Sequence, residues 1–301
     1  MRKYIIIFWL LILLGLLAFF GTFFLAEKGF LGKMPTIEDL QNPRSDLASE
    51  IYSADGKVLG KYFYQNRTNA HYQDLSKHLV NALIATEDER FEDHPGIDLK
   101  GTLRAVIYLG KKGGASTITQ QLAKMLFTER RASNTLVRIV QKIQEWIISA
   151  KLERYYTKEE IITMYFNRFD FVNNAVGINS AAQVYFNTSP DSLQIHQAAM
   201  LVGMAKNPSL FNPIRRPDTT MSRRNVVLSQ MVRNEFITKD EFDSLAALPL
   251  SIDYHQVNHS QGIAPYFREI LTGDVKEVLR SKDEKGNYLY VKAYGDSYNL
   301  Y

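Results

Sequence analysis

Glu87, Asp88 and His94 fall within residues 85–96, a stretch that crowds acids, a histidine and helix-ending residues together. A carboxylate held near a helix end can accept a proton from substrate, and the same composition also describes a solvated acidic helix terminus. A second group follows in residues 113–124, where Gly113 and Gly114 precede Ser116, Thr117, Thr119, Gln120, Gln121 and Lys124. Glycines let backbone approach a ligand, and a Ser/Thr-rich helix start offers N–H groups suited to phosphate. An ordinary helix capped by Ser116 or Thr117 reads the same way, and the P-loop spacing is absent. In a third group Arg138, Lys142, Glu145 and Ser149 recur at steps of four, three and four residues, which is one helix face. Such a stripe is either solvated, holding an ion pair of Lys142 with Glu145, or a buried polar seam whose charges need partners or a ligand.

The elements that must position these groups are mostly helical. Residues 82–90 suit a helix with Leu79, Ala82, Leu83 and Thr86 inward, stopping at Pro95 and Gly96. Residues 99–109 interleave Leu99, Leu103, Val106, Ile107 and Leu109 with Lys100 and Arg104, with Lys111 and Lys112 following. That is a basic amphipathic helix, able to lie in a membrane interface or to pack its apolar side on a core. In a helix over 136–155 the apolar stripe of Leu136, Val140, Ile143, Ile147 and Ala150 opposes the polar one. Thr157 and Glu160 form a capping pattern that opens the next helix. Further helices are expected near 173–186, from Ser189 to Met204, and from Thr219. Lys206 and the pairs Arg215-Arg216 and Arg223-Arg224 carry charge for an anionic cleft but read as scaffold. A hairpin over 51–60 should turn at Asp55-Gly56.

The 301 residues, 46% hydrophobic and 23% charged, suffice for one large globular unit or a domain with accessories. Zero cysteines exclude disulfides, thiolate metal sites and a cysteine nucleophile. A net charge of +4 suits a surface that meets phosphate or anionic lipid. Residues 4–26 form an apolar run after Arg2 and Lys3, with no A-x-A pattern at its end. This reads as an uncleaved signal anchor with residue 27 onward outside the cytoplasm.

Four motifs occur in order: Glu87-Asp88-x-x-Phe91-x-x-His94-x-Gly96, Gly114-x-Ser116-Thr117-Ile118-Thr119-Gln120-Gln121-Leu122-x-Lys124, Lys142-x-x-Glu145 with Leu152-Glu153, and Lys158-x-x-Ile161-x-x-x-Tyr165-x-Asn167. Over about residues 50–245 the series resembles the peptidoglycan glycosyltransferase domain of class A penicillin-binding proteins. The resemblance implies a mainly α fold, with a lysozyme-like helical lobe, a smaller membrane-associated jaw and one N-terminal transmembrane helix. The boundaries it suggests are 1–27 for the cytoplasmic start and anchor, 28–250 for the glycosyltransferase domain, and 251–301 for the start of a linker toward a transpeptidase domain. No Ser-x-x-Lys nucleophile motif of such a domain occurs, so the chain is expected to be part of a longer protein.

The implied reaction polymerises lipid II into β-1,4 glycan with inversion, releasing undecaprenyl diphosphate. Glu87 matches the base and Glu145 the second acidic position, which acts on the diphosphate directly or through a divalent ion. Lys124, Lys142 and Lys206 match cationic positions, with Ser116, Thr117, Gln120 and Gln121 as polar contacts. Asp88 and His94 shape the lip. Two departures stand out: Gln141 replaces an Arg, for which Arg138 can substitute, and Met125 replaces an Asn. No organic cofactor is implied. A divalent cation such as Mg²⁺ is admitted, with Glu145 its candidate ligand. Partners implied are lipid II, the growing glycan-lipid diphosphate, the membrane and other cell-wall synthesis proteins, but no nucleic acid. The location implied is the bacterial inner membrane, single-pass, with the catalytic domain on its outer face. The alternatives are a glycan-cleaving lytic enzyme, since lysozyme-like folds host those too, and a non-catalytic membrane scaffold.

Overall fold

Helical periodicity dominates the sequence, and the computed structural model, which describes residues 2–32, 34–41, 49–52, 58–62, 69–108, 116–128, 134–255, 270 and 274, is correspondingly mainly α. The chain divides into two units: Met1–Pro43 with Arg90–Ile161, and Arg44–Glu89 with Ile162–Tyr301.

The first unit begins with α1 (Arg2–Glu27), whose 26 residues meet the length and composition of a membrane span. At about 1.5 Å per residue it exceeds the roughly 30 Å hydrocarbon layer. Gly29 ends it at φ +79°, where the Gly29 N–H reaches the Ala26 carbonyl and the Phe30 N–H that of Leu25, both at 3.0 Å. This pairing satisfies carbonyls that a helix end would otherwise leave open. α2 (Ile37–Gln41) follows, and both helices pack on α6 (Thr135–Tyr155). The Phe23 and Trp146 rings lie 6.2 Å apart, Ala26 is fully buried, and the Tyr156 hydroxyl donates to the Leu40 carbonyl at 2.8 Å.

α5 (Ile118–Phe127) also packs on α6, burying Ile118, Leu122 and Ala123, and α6 itself buries Ile148 and Leu152. The side of α6 that is buried decides between the two readings of its polar stripe in favour of the buried seam. Glu145 and Ser149 are buried with Ile148 and Leu152, whereas Val140, Ile143, Ile147 and Ala150 are only half-buried. Polar residues on α5 and just before it meet the polar seam, so the inward side of α6 is set by hydrogen bonds as much as by apolar area.

α4 (Leu99–Ile107) is shorter than expected and presents its apolar stripe outward, with Leu99 75%, Leu103 61% and Ile107 63% exposed. This excludes the reading in which those residues pack on the core. Asp98 caps the helix, its carbonyl accepting from Thr102 N and its carboxylate from Gly101 N at 3.0 Å. Arg90 Nη2 reaches the same carboxylate at 2.5 Å.

The second unit contains strands β1 (Ser49–Tyr52) and β2 (Val58–Tyr62), paired antiparallel with Glu50 opposite Lys61. The hairpin is therefore as expected, with its turn outside the described residues. α3 (Lys77–Glu87), α9 (Ile195–Ala205) and α10 (Pro217–Arg233) pack mutually around Leu79, Leu83, Leu201, Val227 and Leu228. α3 starts just after Ser76, whose hydroxyl caps it, and ends at Glu87 instead of Arg90. The chain leaves this unit after Glu89, and Phe91 is buried in a separate short turn. α9 begins at Ile195 rather than Ser189, because Gln194 and Gln197 form its capping box while Pro190–Ser192 is a 3-10 turn. α10 begins at Pro217, whose fixed φ suits the first helical position.

α7 (Lys158–Arg168), α8 (Ile178–Phe186) and α11 (Lys239–Ala247) complete the described helices. Arg224 is fully buried and donates to the carbonyls of Ala246, Leu248 and Pro249 at 2.8–3.3 Å, closing the end of α11. Expectations for residues 109–115, for the apolar stretch 263–279 apart from Ile270 and Asp274, and for strand-like residues 288–301 lie outside the described residues.

Burial pushes the Asp98 carboxyl up, but hydrogen bonds from Arg90 and Gly101 and the charges of Arg90 and His94 outweigh it and leave the pKa lowered from 3.8. A carboxylate with a depressed folded pKa contributes stability above its unfolded value and loses it as pH falls through the folded one. Asp98→Asn should therefore lower the melting temperature at neutral pH, and its deficit against the parent should shrink below about pH 3.8. Thermal melts across pH 2–7 check this.

Candidate active site

In the first unit the functional geometry starts from a turn that only glycine permits. Gly96 has φ +87°, and a Cβ there would lie 2.8 Å from the Ser149 carbonyl oxygen on α6. The Gly96 carbonyl accepts from Thr117 Oγ1 at 2.7 Å and from Gln120 Nε2 at 3.4 Å. Thr117 also caps α5, its hydroxyl accepting from Gln120 N at 3.1 Å. These contacts leave the Gln120 side-chain oxygen directed at the Lys142 ammonium.

Lys142 Nζ donates to Ser116 Oγ at 2.9 Å, Gln120 Oε1 at 3.0 Å and Glu145 Oε2 at 3.1 Å. An ammonium has three protons, so these contacts use its full donor capacity and fix its place. The ion pair of Lys142 with Glu145 exists, but it belongs to a partly buried cluster rather than to a solvated stripe. Of the expected residues, the first unit thus brings together Ser116, Thr117, Gln120, Lys142 and Glu145. Lys124 and Arg138 are exposed, one turn beyond Gln120 and one turn before Lys142 respectively, and Gln121 is half-buried.

His94 is buried, with its ring edge-on to Phe91 at 6.3 Å, and its carbonyl accepts from Lys158 Nζ at 2.7 Å. These contacts are made through its backbone and its ring packing. Among the described residues no group of three His, Asp or Glu side chains could cage a metal ion.

The second unit holds Glu87, Asp88 and Lys206. Glu87 is the last residue of α3, and the buried Asp88 ends the helix with φ −159° and its N–H on the Ile84 carbonyl. Arg223 Nη2 lies 3.8 Å from Glu87 Oε1, with the two side chains only 11% and 16% exposed. Arg223 reaches this position because α9 carries glycine at 203, whose added Cβ would come 3.2 Å from Arg223 Cγ. Its Nε donates to the Gly203 carbonyl at 3.3 Å. Burial pulls the Arg223 pKa down and the Glu87 charge opposes this, while guanidinium remains charged throughout the physiological range. Tyr165 is buried. Burial first, and the Glu87 charge second, hold its phenol well above the usual range, so it stays protonated. Lys206 is exposed at the end of α9.

Arg223 is the residue that sequence reading misplaced as scaffold. Its partner Arg224, one position on, is scaffold, because a step of one residue turns the helix by about 100°. The signal was Gly203, a glycine in the stretch from Ala198 to Ala205 that is otherwise apolar. Glu153 and Lys158 stand in the motifs without an assigned role, and they form a partly buried pair at 2.8 Å.

The first unit thus holds a lysine-carboxylate cluster, and the second a carboxylate restrained by an arginine. Comparison with known proteins fixes the class: the transglycosylase family matches residues 55–232. The chain belongs to that family and is a glycosyltransferase. It is 34% identical over 294 residues to penicillin-binding protein 1A of Escherichia coli (strain K12), covering 96% of this chain and 32% of that one. Penicillin-binding protein 1A of Haemophilus influenzae is 36% identical, covering 83% and 28%, and that of Pseudomonas aeruginosa 33% identical, covering 80% and 29%. The chain therefore spans about a third of the length of these relatives. A crystal structure of the Haemophilus influenzae protein aligns with 81% of this chain and 26% of its own at 23% identity and a TM-score of 0.40.

Replacing Lys142 by Met removes three donated hydrogen bonds, one of them to a carboxylate. Leaving the Glu145 carboxylate without its cation should lower stability by about 1–3 kcal/mol. Urea denaturation of Lys142→Met and parent protein in detergent measures the difference.

Proposed function

We propose that the chain polymerises lipid II, joining the growing glycan on its lipid diphosphate to the sugar of an incoming lipid II. The observation that carries this reading is the Lys142 ammonium held by Ser116, Gln120 and Glu145, a preorganised cation of the kind a departing diphosphate needs. In the reaction, the acceptor's sugar 4-hydroxyl attacks the donor's anomeric carbon. The O4–C1 bond forms as the bond from C1 to the phosphate oxygen breaks, so configuration inverts and undecaprenyl diphosphate leaves with the electron pair.

Glu87 takes the hydroxyl proton. Its support is its restraint by Arg223, which limits where the carboxylate can go. Asp88, buried and ending α3, shapes this carboxylate's backbone and does not transfer the proton. Lys142 stabilises charge on the leaving diphosphate, and exposed Lys124, Arg138 and Lys206 add mobile cations. Ser116, Thr117, Gln120 and Gln121 supply polar contacts. A divalent ion such as Mg²⁺ would be held by Glu145 together with diphosphate oxygens, which matches the habit of binding Mg²⁺ through one or two carboxylates plus substrate phosphate. It would supply positive charge to the leaving group.

The outward Leu99, Leu103 and Ile107 of α4, continuous in chain unit with α1, support a jaw seated in lipid. Arg2 and Lys3 support an anchor in the bacterial inner membrane with its start in the cytoplasm and the catalytic units on the outer face. Other cell-wall synthesis proteins are further partners under this reading.

Purified protein incubated with lipid II, and separately with polymeric glycan, should consume lipid II and leave polymer intact. Shortened polymer with lipid II untouched would make it a lytic enzyme, and a folded protein inert to both would make it a scaffold. Glu87→Gln should cut lipid II consumption by about 10²–10⁴-fold with little change in melting temperature.

A further inference from the structure

Lys158 lies at the start of α7, outside the cluster described above, yet every contact it makes leads back there. Its ammonium pairs with Glu153 at 2.8 Å, donates to the His94 carbonyl at 2.7 Å and sits 4.3 Å above the Phe91 ring. Glu153 is buried, its side chain 6% exposed, and accepts from Thr119 Oγ1 at 2.5 Å. One ammonium therefore joins α6, α7, the turn at 94–96 and, through Glu153 and Thr119, α5.

The turn it holds is the one whose Gly96 carbonyl accepts from Thr117 and Gln120, and Gln120 accepts from Lys142. The chain of contacts thus runs from Lys158 through the 94–96 backbone to Gln120 and ends on the Lys142 ammonium. We propose that Lys158 is a positioning residue, which with Glu153 clasps the 94–96 turn and thereby fixes Lys142 for its diphosphate. The claim rests on the proposed function only where it speaks of turnover; the clasp itself can be tested without it.

A buried carboxylate stripped of its cation is strongly destabilising, so Lys158→Met alone could fail to fold. The test therefore uses the full chain in detergent carrying Glu153→Gln with Lys158→Met, which removes both charges together, and Lys158→Arg as the conservative variant. Hydrogen exchange followed by mass spectrometry should show peptides covering 91–97 and 116–122 exchanging about tenfold faster in the double variant, with α9 unchanged. Lys158→Arg, which keeps the charge and can donate to both Glu153 and the carbonyl, should return exchange to near the parent rate. Unchanged exchange at 91–97 and 116–122 would overturn the clasp, whether or not the parent consumes lipid II.

With lipid II as substrate, the double variant should lose about 30-fold in kcat with KM altered less than about threefold, because the Lys142 contact strengthens as the diphosphate departs. Added to Lys142→Met, the same pair of changes should cost less than about threefold more, since both act through one ammonium. A full 30-fold further loss on that background would show that Lys158 serves the fold alone and would overturn the positioning role. A parent that leaves lipid II untouched would sink the proposed function, and the exchange comparison would still decide the clasp.

Discussion

The Lys142 ammonium, its side chain still 38% exposed, is held by three acceptors, and the arrangement of the first unit follows from holding it there. Ser116 and Gln120 come from the start of α5 and Glu145 from the next turn of α6, so the two helices must meet along their polar sides. That requirement accounts for the buried Glu145 and Ser149, and for a stripe of Val140, Ile143 and Ile147 that is only half-buried. It also accounts for Gly96, since the turn that orients Gln120 must press against the α6 backbone. A lysine restrained in this way loses less on meeting a diphosphate than a free one does, because its conformational freedom is already spent.

The second unit restrains its carboxylate by a different device. Glu87 stands at a helix end, where backbone constraint weakens, and the Arg223 guanidinium limits its reach. Arg223 can approach because α9 offers Gly203 where another side chain would collide. Its neighbour Arg224 faces the opposite task and closes the carbonyls at the end of α11. Two adjacent arginines thus divide between a site and its scaffold by the rotation of one helix.

The first unit also carries α1 and the outward apolar stripe of α4, so the helix of membrane-spanning length, the exposed leucines and the Lys142 cluster belong to one compact unit. A substrate whose diphosphate joins a sugar to a membrane-embedded chain has matching chemistry. Its lipid stays in the bilayer while its charged junction lies near the interface, which suits a protein that joins both surfaces rigidly through α6.

Periodicity and motif spacing were enough to establish a mainly α chain, the membrane-spanning length of α1, the shared face of Lys142 with Glu145, and a hydroxyl cap at the start of α5, because each depends on residues within a few turns. The family was legible for the same reason, in four ordered motifs. The helix limits at Glu87 and Ile195 were not, since the first depends on where Phe91 is buried and the second on which of two nearby polar residues wins the cap. Nor could sequence tell whether the stripe of α6 faced water or α5, or whether α4 turned its leucines inward. Those outcomes depend on partners far along the chain, and the pairs of Arg223 with Glu87 and of Lys158 with the His94 carbonyl exist only once tertiary packing has closed.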